Sequence, residues 1–244
     1  MTATLGRRAA GEFTGTALLV TAVIGSGIAA ARLSPHDVGL ELLENSIATA
    51  LALGALIAMF ATVSGAHFNP VVSLVDWWLH RHDPGGIAAP DLATYVAAQI
   101  AGAICGAVLA NVMFGARAVA WSTTSRTGGR LWLAEIVATA GLLLLIFALA
   151  RTGRSSATPA GVGAYIGAAY WFTSSTSFAN PAVTIGRMFT DTFAGISPAS
   201  VAGFVAAQFI GAIVAAAAIT VWFPRSVTNN VAEPVPSTTI GAHR

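Results

Sequence analysis

Apolar residues run through this chain in long blocks, and six blocks reach membrane-crossing length. They fall at roughly 10–31, 39–62, 91–114, 131–150, 159–176 and 198–223. A helix needs about 20 apolar residues to cross the hydrocarbon core, so each block is read as a span. Two shorter stretches lie between spans, Asn69 to about Leu79 and Asn180 to about Thr190, each of about eleven residues. Eleven helical residues cover about 16 Å, roughly half the core thickness. The pattern therefore predicts six transmembrane helices and two half-helices that reach the midplane.

The two short stretches open on nearly the same words. Ser64-Gly65-Ala66-His67-Phe68-Asn69-Pro70-Val71 recurs as Ser175-Thr176-Ser177-Phe178-Ala179-Asn180-Pro181-Ala182. Asn is a good N-cap and Pro fits the first helical position. A helix that starts at membrane depth leaves N–H groups that lipid cannot satisfy, so protein or a water-filled cavity must. The repeat is wider than this motif. Gly11-Glu12-Phe13 is echoed by Ala134-Glu135-Ile136, and Ala97-Ala98-Gln99 by Ala206-Ala207-Gln208, in the same order. Each half holds three spans and one half-span. Three is odd, so the second half enters from the opposite face and the repeat is inverted. The expected fold is an all-α membrane protein, one channel domain over 1–226 with repeats at about 10–114 and 131–223. The tail 227–244 has no apolar period and is expected to be disordered.

Composition agrees with a membrane protein. Charged residues make up 9% of the chain and mean hydropathy is +0.73, against about 25% charge in soluble domains. All 12 basic residues are Arg and no stripe of them suggests nucleic acid. Cys105 stands alone in an apolar run and supplies neither an internal disulfide nor metal spacing. The run from Ala9 to Ala31 is too long for a signal-peptide core and reads as a retained first helix. Arginines lean weakly towards the side that holds both termini, which predicts a cytoplasmic location for each.

Two half-helices meeting N-terminus to N-terminus put two positive dipole ends at the bilayer centre. Asn69 and Asn180 would then offer amide donors to a passing oxygen, while cations and protons meet a positive barrier. Glu12 and Glu135 are acids inside spans, where an unpaired charge costs at least ~2.5–3.5 kcal/mol. One reading is a proton relay; the other is that each accepts hydrogen bonds from the unwound backbone before a half-helix. His67 is read as a similar brace. His80 and His82, near the end of the first half-helix, read either as a solvated loop or as a pH-sensitive gate.

These motifs, with Gly11-Glu12-Phe13-Thr14-Gly15-Thr16, resemble the aquaporin/major intrinsic protein family over essentially the whole chain up to the tail. The resemblance implies six tilted helices, two re-entrant half-helices, a homotetramer with a pore per subunit, and passive flux of water, glycerol or similar solutes across a cell (inner) membrane. It also implies a selectivity filter, carried over by offset to Thr49, Ala168, Ser177 and Val183. The last position normally holds Arg. Without Arg or an aromatic residue, this ring is expected to be wide and less polar. The run Ala169-Tyr170-Trp171-Phe172-Thr173 and the second motif are similar to a bacterial branch associated with arsenic-resistance operons, which implies arsenite, and methylated arsenicals, as solutes. The runner-up is a general glycerol and water channel. Arg187, four residues after Val183, would either reach the outer vestibule or pair with Asp191. A secondary transporter would need coupling acids, and a closed adhesion protein would pass no solute. No nucleophile–base pair, metal spacing or phosphate loop points to an enzyme, and no cofactor is expected.

Overall fold

The computed structural model describes residues 3–81 and 87–224. His82 and the tail expected to be disordered lie outside these residues. Among the described residues eight α-helices follow in order: α1 (Leu5–Leu33), α2 (Val38–Ser64), α3 (Pro70–His80), α4 (Ala89–Met113), α5 (Gly129–Arg151), α6 (Thr158–Phe172), α7 (Pro181–Gly186) and α8 (Pro198–Trp222). Helices α1, α2, α4, α5 and α8 are long and apolar enough to cross a membrane. Helix α6 stands at the expected fifth span but has 15 residues, short of the length a span needs, and a 3-10 turn at Ser155–Ala157 leads into it.

The chain starts its helices with local chemistry. Thr4 and Asp37 accept the Arg7 and Leu40 backbone N–H groups at the starts of α1 and α2. Helices α3, α4, α6, α7 and α8 carry Pro in the first turn, where its missing N–H has no helical partner to lose. Two expected boundaries shift. The fifth span, expected to reach residue 176, stops at Phe172, because the Ser-Thr-Ser run takes up unwound backbone. The second half-helix is α-helical for 6 residues and then tightens into a 3-10 turn, Arg187–Phe189.

Packing follows the repeat. Helix α1 lies against α4 as α5 lies against α8, and α2 crosses α6 between the two halves. Glycines set the close approach. A Cβ on Gly211 would lie 2.6 Å from the Ile136 carbonyl oxygen, and one on Gly102 would run into the Phe13 carbonyl. These two glycines hold equivalent places in the repeat. Such contacts suit a bilayer, where apolar side chains gain nothing over lipid and helices associate by close packing. Large apolar residues such as Leu51, Ile213 and Val221 are exposed on the outer faces, the reverse of a soluble protein. The core, including Leu19, Val20, Val23, Leu53, Val162 and Ile166, gathers on the inner faces of α1, α2 and α6.

Candidate solute pathway

The segments before α3 and α7 cannot be helical, and their backbone shows how they are held. Ala66 and Phe68 have φ of 53° and 51°; Thr176, Ser177 and Ala179 have 61°, 50° and 49°. Non-glycine residues rarely sit in this left-handed region, and each costs on the order of 1–3 kcal/mol unless its surroundings fix it. Here a buried carboxylate fixes each segment. Glu12 accepts from the Ser64 hydroxyl (2.6 Å), the His67 N–H (3.0 Å), the Phe68 N–H (2.7 Å) and the Gln99 amide (2.8 Å). Glu135 accepts from the Phe178 and Ala179 N–H groups (both 2.9 Å) and from the Gln208 amide (2.7 Å). Both acids are wholly buried and each has fixed donors. That arrangement favours the brace over the relay. Gln99 also donates to the Ser73 hydroxyl, and Gln208 to that of Thr184. Sequence reasoning used the two Gln residues only as repeat markers and missed the two hydroxyls, although each stands four residues after its Asn. His67 contacts the Ser73 hydroxyl through Nδ1 at 3.0 Å and packs beside the Tyr95 ring.

The asparagines bind the halves together. The Asn69 amide donates to the Ala179 carbonyl at 2.8 Å, and the Asn180 amide to the Phe68 carbonyl at 2.7 Å. Their oxygens cap their own helices, Asn69 at Val71 and Asn180 at Ala182 and Val183. Pro70 and Pro181 begin those helices. A primary amide has two N–H donors. One of each is used in the crossing; the second has no protein acceptor among the described residues. Both Asn residues line a cavity of ≈ 520 Å³ that extends from Asp76 and His80 on α3 to Arg187 just past α7. Gly65, Ala66, His67, Ser177 and Phe178 line it too. Among the described residues no protein group donates to the carbonyls of Gly65, Ala66 and His67, or of Thr176, Ser177 and Phe178. The unwound segments thus leave acceptors unpaired beside the cavity, and the Asn residues leave donors.

The structure revises the expected filter. Thr49, Ser177 and Val183 line the cavity. Ala168 does not: it is exposed on the outside of α6. Tyr170 takes that side instead, its hydroxyl 3.2 Å from that of Thr49. An aromatic residue, Tyr170, therefore lines the cavity beside Thr49, where none was expected. The Ser177 hydroxyl oxygen is buried without a protein partner, so it is not an open donor in the lumen. Arg187 lines the cavity and is 3% exposed. It makes no ion pair with Asp191; that carboxylate accepts from the Thr123 N–H and hydroxyl instead. The guanidinium carbon of Arg187 stands 3.4 Å from the centre of the Phe178 ring, and its Nε donates to the Ala194 carbonyl. An Asp76 carboxylate oxygen lies 3.0 Å from Nδ1 of His80, and both residues line the cavity. Among the described residues no cluster of side chains suits a metal ion.

Two short helices, capped by paired asparagines, thus border one cavity within an all-helical membrane fold, the arrangement expected of a channel. Comparison with known proteins agrees. Residues 1–177 and 168–244 match the description "Major intrinsic protein". The chain is 49% identical to aquaglyceroporin AqpS of Rhizobium meliloti, over 87% of this chain and 88% of that one. It is 32% identical to a glycerol uptake facilitator protein of Pseudomonas aeruginosa, over 79% of this chain and 76% of that one. The fold matches an X-ray structure of the aquaglyceroporin from Plasmodium falciparum with a TM-score of 0.68 at 21% identity, over 88% of this chain and 96% of that one. The chain belongs to the major intrinsic protein family.

Proposed function

We propose that this protein is a passive, aquaglyceroporin-type channel for small neutral hydroxylated solutes: glycerol-like polyols, water, and undissociated arsenite with its methylated relatives. The observation that carries this reading is the pairing of unpaired carbonyl acceptors with free Asn69 and Asn180 donors along one cavity. A neutral hydroxyl both donates and accepts, so it can exchange water for these groups at little cost. A cation meets the positive ends of α3 and α7. Val183 supports the metalloid part. With Val at that level, the ring near Thr49 and Tyr170 is left wider than a guanidinium there would leave it. Undissociated arsenite carries three hydroxyls, as glycerol does, and fits the same donors and acceptors. The 49% identity to an aquaglyceroporin supports the polyol part. The reading extends to a homotetramer in the cell (inner) membrane, with both termini cytoplasmic and one channel domain over 1–226.

The test is stopped-flow light scattering on proteoliposomes challenged with water, glycerol and arsenite gradients. Rapid passage of both solutes, independent of any proton or sodium gradient, is the expected result. Passage of glycerol and water without arsenite would favour a general polyol channel. Water flow alone would overturn the reading, and flux that follows an ion gradient would return the protein to the transporters.

A further inference from the structure

We propose that Arg187 is the charge-selecting donor of the pore: it excludes cations and presents a fork of N–H groups to solutes with two acceptor oxygens. The proposal rests on the channel reading above and adds the residue that sets its selectivity. Arg187 stacks face-on against Phe178, with 3.4 Å from guanidinium carbon to ring centre. Arg126 approaches the same ring at 5.2 Å. The loop after α7 fixes both cations. Arg126 donates through Nε to the Gly195 carbonyl at 2.9 Å and through a terminal nitrogen to the Phe193 carbonyl at 3.3 Å. Arg187 takes the carbonyl between them, that of Ala194. Three consecutive carbonyls and one ring thus hold two guanidinium groups in place.

These contacts use one of the five N–H donors of Arg187. Its terminal nitrogens have no protein acceptor among the described residues, and no carboxylate lies within ion-pair distance. A buried cation without a counter-ion is costly unless its donors are satisfied. Arg187 lines the cavity, so water or solute oxygens there can supply partners for these donors. A guanidinium is planar and binds paired oxygens through two parallel N–H groups. That favours solutes with neighbouring hydroxyls over single-oxygen solutes and repels monovalent cations. Arg187 stands one helical turn beyond Val183, about 6 Å along the helix axis. The backbone of Arg187 thus leaves the Val183 position to a short side chain, while its guanidinium lies over the Phe178 ring.

Arg187→Leu, Arg187→Gln and Arg187→Lys would be reconstituted beside the wild type. Potassium leak would be read with a potential-sensitive dye, and glycerol and water permeability by light scattering. Size-exclusion profiles report folding, and Gln stands in if Leu does not fold. The neutral variants are expected to raise potassium leak on the order of tenfold or more, a low figure for losing a fixed charge within a few ångströms of the lumen. Lys should keep cation exclusion but lower the glycerol-to-water ratio, because it lacks the planar fork. Phe178→Leu, which removes the stacking face, should shift both readouts part of the way. Neutral variants with wild-type leak and wild-type ratio would overturn the proposal. A wild type that passes no glycerol, with neutral variants that leak, would overturn the solute reading and keep the role of Arg187. No glycerol passage and no leak would overturn both.

Discussion

Glu12 and Glu135 are small parts of the chain on which much of the pore depends. Each holds backbone that would otherwise relax from its left-handed conformation. Removing Glu135 orphans the N–H groups of Phe178 and Ala179 and half the contacts of Gln208. An unsatisfied buried donor costs about 1–3 kcal/mol. Glu135→Ala is therefore expected to lower the melting temperature in detergent sharply, and Glu135→Gln less so, since one oxygen still accepts. Melting of the Ala variant at the wild-type temperature would sink the brace. Loss of flux in a fully folded Gln variant, with a pH-gradient dependence in the wild type, would restore the relay. Val183 gives a second prediction at this scale. Val183→Arg should cut glycerol and arsenite permeability several-fold while sparing water, because a long side chain at that level narrows the ring facing Thr49 and Tyr170. Equal glycerol permeability in the two proteins would place the constriction elsewhere.

Helix α6 shows why part of the site was legible in the sequence and part was not. Asn69 and Asn180, with their proline partners, could be placed because the motif repeats within an apolar chain, and hydrogen bonding at membrane depth leaves few alternatives. Ser177 and Val183, close to the motif, could be placed on the cavity for the same reason, whereas the sequence leaves Arg187 between the vestibule and a pair with Asp191. Ala168 could not. Its position rests on a fixed offset from Asn180, and an offset counted across unwound backbone does not fix which face of α6 meets the cavity. Two residues along a helix turn the face by about 200°, so Ala168 points out where Tyr170 points in. The contrast is testable. Ala168→Phe should leave solute permeability unchanged, whereas Thr49→Phe should reduce it several-fold; the reverse order in stopped-flow measurements would show that α6 presents its other face. The contact of Arg187 with Phe178 was beyond sequence reasoning too. It depends on the loop 190–197 folding back to offer the Ala194 carbonyl, a long-range arrangement with no local signature.

At the scale of the whole molecule the inverted repeat governs stability as well as symmetry. Helices α1 and α4 close one half and α5 and α8 the other, each over glycines that admit no side chain. Gly211→Leu would force α5 and α8 apart; overpacking of this kind costs about 1–3 kcal/mol or more. The variant should lose thermal stability in detergent, with solute flux falling as the folded fraction falls. Unaltered melting would mean that this crossing is looser than described.

The crossing of the two asparagine amides has a consequence for how such a chain could arise. Asn69 holds the backbone of the second half, and Asn180 holds that of the first, through the same atoms. Contacts related by a twofold axis are reciprocal, so one surface can serve as its own partner. A gene encoding a single half would already specify both sides of that contact. Two copies, inserted in opposite orientations, could close on each other before any duplication joined them. Fusion would then have freed the halves to diverge, and the unlike linings that follow the two short helices, Arg187 after one and Asp76 with His80 on the other, are what that freedom allows.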